Sequence, residues 1–431
     1  MLEKFANIFR IPDLRRRVLF TLAILAVYRL GAHITTPGVN VQALEAFFNN
    51  QAGSSLGLVD LFSGGNLRRL TVFALGIMPY ITASIIFQLL TVVYEPLAKL
   101  QKEGELGRRK ITQWTRYVTV LLGIVQSAAI AIALQSSSSN LVLHPGLPFI
   151  LMTVLTLTTG TTFIMWLGEQ ITERGIGNGM SLLIFAGIVV GLPRGIADLY
   201  ATAKSQRFGA LTIPALILLV VGMIAVVAFI VYVERSERRI PVQYAKRIVG
   251  RRLMGGQSTH LPLKVNSGGV MPVIFAASVL SAPMLFSQAK FVQDSPWLSH
   301  TFDALRVGEP WYELIYIIAI VFFAYFYISI VFRPDDIADN MRKYGGFIPG
   351  IRPGRPTAEY LRYVLSRLTA PGSVYLGAIA LFPLVALSAI GVANEFPFSG
   401  VSLLIMVGVG LDTVKQIESQ LQQRNYEGFL R

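Results

Sequence analysis

The chain of 431 residues contains no cysteine, so it can form no disulfide and carries no thiol chemistry. Charge is scarce as well. Only 14% of residues are charged while 53% are hydrophobic, a balance that excludes an ordinary set of soluble domains and points to a membrane protein. The long apolar runs lack central ionisable groups: Arg29, His33, Glu169, Asp198 and Asp412 all fall near their ends. Ion- and proton-coupled carriers keep charges at mid-membrane despite a cost of roughly 2.5–3.5 kcal/mol each, so this absence argues against such a carrier.

Catalytic patterns are missing too. The four histidines lie in loops or at span ends, and no HExxH zinc motif occurs. Gly408-Val-Gly-Leu-Asp412 is one residue away from a GxGD protease arrangement and has no second buried acid beside it. Gly175-Ile-Gly-Asn-Gly179 places Met180 where a dinucleotide loop needs glycine, and reads instead as a sharp turn between two helices. No Walker A sequence is present. The sequence therefore predicts no catalytic residues, no metal site and no cofactor. Work done on any substrate must be powered by a partner.

What the chain does have is apolar length. A span needs about 20 mostly apolar residues, and ten runs qualify: Val18–His33, Thr71–Thr91, Tyr117–Gln135, Leu147–Gly168, Met180–Tyr200, Leu211–Val233, Gly269–Phe286, Trp311–Phe332, Leu368–Ile390 and Phe398–Val414. The fold class expected is an all-α integral membrane protein of ten helices. Arg15-Arg16-Arg17 precedes the first run in the manner of a signal peptide, but no small-x-small cleavage site follows, so it reads as an uncleaved span. Before it, Leu2, Phe5, Ile8 and Phe9 share one helical face suited to the membrane surface.

The net charge of +14 is unevenly placed. Of the lysines and arginines, 30 fall in connections on one side and 7 on the other, which puts both termini in the cytoplasm. With five spans in each half, residues 1–200 and 201–431 have opposite orientations. That arrangement permits two inverted halves around a central pathway.

Within this frame, Gly57–Thr91 stands out. Its second part is long enough for a span. Its first part breaks at Ser63-Gly64-Gly65-Asn66, and in hydrocarbon such a backbone must be buried in protein or line a watery cavity. Gly57–Leu70 reads either as a movable re-entrant stopper or as an external loop with an interfacial turn. Ile81 and Ile85, and Ile184 and Ile188, are each spaced to lie one above the other on a helix. They fit lipid contact and packing, or, if they face a common axis, a narrow apolar collar that excludes water and ions. Two cytoplasmic connections carry 15 of those 30 basic residues. Residues 234–268 group Arg238, Arg239, Lys246, Arg247, Arg251 and Arg252 around Tyr244, and residues 333–367 contain Arg352. Both are long and read as docking surfaces without obvious internal structure.

The segments FSGGNLRRLTVFALGIMPYITASIIFQLLTVV, WLGEQITERGIGNGMSLLIFAGIV, VERSERRIPVQYAKR, QSTHLPLKVN and FIPGIRPGRPTAEYL, in this order, closely resemble the bacterial SecY family, the channel subunits of the Sec protein translocase. The resemblance spans essentially all ten runs. It implies a protein-conducting channel of the bacterial inner membrane that passes unfolded chains and releases apolar segments sideways into lipid. It implies a plug at about Gly57–Leu70, including Asp60, Phe62, Ser63, Gly64 and Gly65. It implies a pore ring of Ile81, Ile85, Ile184, Ile188, Ile274 and Ile405, and a lateral gate between spans two and three and spans seven and eight, with polar contacts from Thr91, Gln126 and Asn266. The basic loops, with Arg352 and Tyr426, resemble surfaces that receive the ribosome or the SecA motor. SecE and SecG subunits, signal sequences, nascent chains and membrane lipid are the other partners implied. The competing class is a secondary transporter of a neutral solute, which needs a polar midplane site where a translocon has an apolar waist.

Overall fold

A computed structural model describes residues 11–50, 60, 63–136, 141–204, 212–244, 247–249, 252–254, 258–284, 295–305, 309–390 and 400–429. The N-terminal surface helix predicted over residues 2–9 lies outside them, as does Phe62. The elements in chain order are α1 (Pro12–Gly31), α2 (Val41–Asn50), α3 (Met78–Val93), α4 (Glu95–Lys102), α5 (Glu105–Ser136), α6 (Leu147–Arg174), α7 (Gly179–Lys204), α8 (Thr212–Arg235), β1 (Glu237–Tyr244), β2 (Arg247–Val249), β3 (Arg252–Met254), β4 (Ser258–Lys264), α9 (Met271–Met284), α10 (Pro296–Ala304), α11 (Pro310–Val331), α12 (Pro334–Lys343), β5 (Gly346–Phe347), α13 (Arg355–Ile390) and α14 (Gly400–Phe429).

Each of the ten predicted spans falls on a helix. Glu105–Gln135, Leu147–Arg174, Pro310–Lys343, Arg355–Phe382 and Gly400–Gln422 are long and apolar enough to cross a membrane, and α3 with α4 forms a pair bent by 99°. Leu121, Leu151, Leu155, Ile224, Ile318 and Phe322 are more than half exposed. Apolar exposure on this scale is the signature of a surface that meets lipid.

The second span departs from expectation. Residues 71–77 are turns rather than helix, and α3 begins only at Met78, with Pro79 in its first turn. Leu70 and Gly76 have positive φ (41° and 55°). Thr71 bridges Thr35, and Val72 N–H donates to the Ile34 carbonyl at 2.9 Å. Backbone groups that a helix would satisfy internally are met by the segment after α1. This irregular stretch presses so closely on α6 that a Cβ at Gly160 would lie 1.9 Å from the Val72 carbonyl oxygen. Beneath it, Leu67, Leu70, Ala74 and Leu75 join Leu44, Phe48, Ile130, Leu134 and Leu157 in a separate apolar core.

The long basic connections are also more ordered than expected. β1 pairs antiparallel with β4 from Glu237↔Lys264 to Gln243↔Ser258, and its far edge takes β5. Ile240 and Val242 alternate inward along β1 while Arg238 and Arg239 face solvent. Ile240 and Leu263 pack with Ile348, Leu361, Val364 and Leu365. The two basic connections are thus one small platform, built from both, at the base of α13. That helix starts at Arg355, well before the apolar run at Leu368, and α14 likewise continues to Phe429.

Candidate functional site

The six isoleucines come from four helices. Ile81 and Ile85 stand on α3, Ile184 and Ile188 on α7, Ile274 on α9 and Ile405 on α14. All six are at most 6% exposed, and all belong to one buried apolar cluster. They face inward, so lipid contact is not their role. A waist of this composition has no directional bonds, and nothing in it holds water.

Beside the cluster opens a cavity of about 410 Å3, with Asn178, Ser181, Lys264, Asn266, Asp412 and Lys415 on its wall and Val270, Met271, Ile274 and Val409 among its apolar lining. At its rim Lys264 Nζ reaches Asp412 Oδ1 at 3.3 Å. Gly177 N–H donates to Gln416 Oε1 at 2.8 Å, joining the α6–α7 turn to α14. That turn is sharp, as its glycines predict, with Asn178 Oδ1 accepting from Met180 N–H at 3.1 Å.

Against α1 and α7 sits the segment of Asp60 and Ser63–Leu70. The Asp60 carboxylate is buried and serves as its internal staple. It accepts from the N–H groups of Leu67 and Arg68, each at 3.1 Å, and pairs with the Arg68 guanidinium. A charged acceptor with several donors outweighs a neutral hydrogen bond. The Ser63 carbonyl accepts from the Tyr28 hydroxyl at 3.3 Å and from the Asn66 amide, which also donates to Tyr28 Oη at 3.4 Å. Ser63 and Asn66 are buried, and Gly65 is exposed.

The expected gate residues are brought less close. Thr91, Gln126 and Asn266 are all buried, yet no described hydrogen bond links them. Thr91 Oγ1 donates to the Gln88 carbonyl of its own helix at 2.7 Å. Gln126 Oε1 has no partner among the described residues. Asn266 Nδ2 donates to Glu234 Oε1 at 2.6 Å and to the Gly269 carbonyl at 3.0 Å. Where α3 meets α9, the described polar contact is Ser278 Oγ against Met78 Sδ at 3.7 Å, a weak one because the hydroxyl proton is taken by the Ile274 carbonyl of its own helix at 2.8 Å.

The SecY family model matches residues 71–414, four-fifths of the chain. Full-length relatives named protein translocase subunit SecY are 53% identical over 442 residues in Streptomyces galbus and 51% identical over 451 residues in Mycobacterium tuberculosis, covering 100% of both chains in each case. The chain belongs to the SecY family. Solved folds agree. A structure described as a protein conducting channel has a TM-score of 0.66 at 18% identity, covering 94% of this chain and 92% of the other. A SecY structure concerned with the plug domain gives 0.65 at 20% identity with the same coverage. Sec61 from the canine ribosome-channel complex gives 0.62 at 18% identity, again with that coverage.

SecY family membership makes this a multi-pass membrane protein. Of the surface residues that the SecY resemblance singled out, Arg238, Arg239 and Arg352 are exposed. Lys246 and Arg251 lie outside the described residues, and of the side chains of Arg247, Arg252 and Tyr426 nothing is described. Sequence reasoning missed Tyr28, Asn66, Glu234 and Ser278. A tyrosine near a span end and a glutamate one residue beyond a span were the available signals for two of them.

Proposed function

We infer that this chain is the protein-conducting channel of the general secretory pathway, passing unfolded polypeptides across the cytoplasmic membrane and releasing apolar segments laterally into lipid. The observation that carries this is the burial of Ile81, Ile85, Ile184, Ile188, Ile274 and Ile405, from four helices, in one apolar cluster. A cavity with polar groups on its wall opens beside Ile274, and a stapled segment packs against α1 and α7. Aliphatic side chains make a gasket that fits any sequence in transit, because no bond in it selects for one. The waist also counts against a solute carrier, which needs polar groups there.

In this reading residues 1–200 and 201–431 are the two halves, and Asp60–Leu70 is the described part of the plug. The seam of α3 and α5 against α9 and α11 is the lateral gate. Its α3–α9 contact is mostly apolar, with Ser278 against Met78 as its weak clasp, so opening it exposes little that water must satisfy. An apolar segment in the conduit then exchanges water for lipid, at about 25 cal/mol per Å2 of apolar surface. Thr91, Gln126 and Asn266 flank this seam. Asn266 acts through Glu234 rather than by bonding the other two.

The basic platform of β1, β4 and β5, with Arg238, Arg239 and Arg352 outward, receives the SecA motor or the ribosome. Relatives of the same fold in ribosome-channel complexes support this docking. The chain itself supplies no catalysis. It works with SecE and SecG in the bacterial inner membrane, with both termini cytoplasmic as the basic connections dictate. Proteoliposomes holding the chain with SecE, SecG and SecA test the reading. ATP-driven protection of a signal-bearing polypeptide from added protease supports it. Saturable flux of a small neutral solute with no partner present overturns it.

A further inference from the structure

One contact on the outer face of the collar belongs to neither the apolar waist nor the Asp60 staple. Gly64 lies against Gly187 with backbone on backbone. A Cβ added at Gly64 would be 2.6 Å from Gly187 Cα, and one added at Gly187 would be 3.1 Å from Gly64 Cα and 3.5 Å from Tyr28 Oη. Real Cβ atoms essentially never come within 3.0 Å of another heavy atom. Gly64 also has φ +74°, which disfavours any side chain. On α7, Gly187 sits between Ile184 and Ile188, both buried in the collar cluster. The same spot is bordered by Tyr28 of α1, whose hydroxyl donates to the carbonyl of Ser63, the residue before Gly64.

We propose that Gly187 is the seat of the plug: the missing side chain between two collar isoleucines sets how deeply the plug enters and thereby whether the idle conduit is sealed. The seat rests on the channel reading given above. Gly187 is a positioning residue, since it touches the plug rather than the passenger chain. Tyr28 fixes the lateral position of the plug by a hydrogen bond, and the two glycines fix its depth by contact. A helix glycine costs about 0.5–1 kcal/mol relative to alanine, so a glycine at mid-span calls for a reason such as this close approach. Gly191, one helical turn further along α7, supplies the internal comparison, because a Cβ there meets nothing within 4 Å.

The test uses the full chain in proteoliposomes with its co-subunits, comparing Gly187→Val, Gly187→Ala and Gly191→Val with the parent. Two quantities are read: ion conductance of the idle channel, and export of a substrate with a defective signal sequence. Export of a normal substrate is measured in the same vesicles. Overpacking at the seat predicts that Gly187→Val raises idle conductance roughly tenfold, equivalent to about 1.4 kcal/mol lost from the closed state. Export of the defective substrate rises with it, and normal export is retained. Gly187→Ala gives a smaller rise in the same direction, and it decides the question if the valine variant fails to accumulate in the membrane. Gly191→Val leaves both quantities at the parent level. Equal tightness of all three variants overturns the seat. So does equal leakage of Gly187→Val and Gly191→Val, which makes the effect one of helix volume. If the parent itself exports nothing, the channel reading fails instead, and the seat falls with it.

Discussion

In the proposed collar, six isoleucines from α3, α7, α9 and α14 lie buried in one apolar cluster. In the proposed plug, eleven residues away from the nearest of those isoleucines in sequence, the segment is held by named bonds: Asp60 to Leu67, Arg68 and the Arg68 guanidinium, and Tyr28 and Asn66 to Ser63. In the channel reading the two regions solve different problems. A collar of dispersion contacts deforms continuously and reseals around whatever passes, because each atom pair contributes only about 0.1–0.2 kcal/mol. A segment fixed by directional bonds is either seated or not. Deformable closure suits a channel in use, and discrete closure suits a channel at rest.

Five substitutions break or sharpen this contrast. Asp60→Ala removes the staple and leaves the Arg68 guanidinium and N–H without their acceptor, with the Leu67 N–H left only Ser63 Oγ. Arg68 is 28% exposed, so the loss falls short of the ~3–5 kcal/mol of a fully buried pair. Idle conductance in bilayer recordings is expected to rise roughly 10–100-fold, with a chain already in transit still well sealed. Ile405→Asn attacks the other region. An unpartnered buried amide costs about 1–3 kcal/mol, so the waist wets, and export of signal-defective substrates rises several-fold; Ile85→Asn behaves alike. Here leakage grows during transit as well as at rest, and a variant that leaks only at rest contradicts the division of labour. Arg352→Glu touches neither closure. Motor-driven export in vitro falls several-fold, while idle conductance and membrane accumulation stay at the parent level; normal export with SecA removes this residue from the docking surface. Ser278→Ala removes the hydroxyl that touches Met78 Sδ. Its effect stays below about 1 kcal/mol and reads as an increase of about twofold in lateral-gate opening by fluorescence across the seam. No change there makes that contact incidental.

The spans were legible because hydropathy needs only composition, and each predicted run lies on a helix. The same averaging misread Thr71–Ile77. TVFALGI is as apolar as any helix, but Thr71 and Val72 bond to the segment after α1, and Gly76 turns the chain at positive φ. Pro79, in the first turn of the real helix, was the local signal that the start lay later. The alternation of Ile240 and Val242 in RRIPVQY spelled a strand, yet its length and charge read as loop. At the site, the spacing of Ile81 with Ile85 and of Ile184 with Ile188 gave the helix face. It could not say whether that face met lipid or a pore, because that depends on α9 and α14, hundreds of residues away. Gly187 was illegible for the same reason: a glycine marks where something comes near and not what.

The absence of native cysteine allows the most direct test. Single cysteines at Ile81, Ile184, Ile274 and Ile405, with Leu151 on the lipid face as the comparison position, are challenged with a secretory chain stalled in transit and bearing one cysteine of its own. The account predicts disulfide crosslinks to the stalled chain from all four isoleucine positions and none from Leu151. Crosslinks confined to one helix, or equally strong from Leu151, would contradict a conduit through the isoleucine waist.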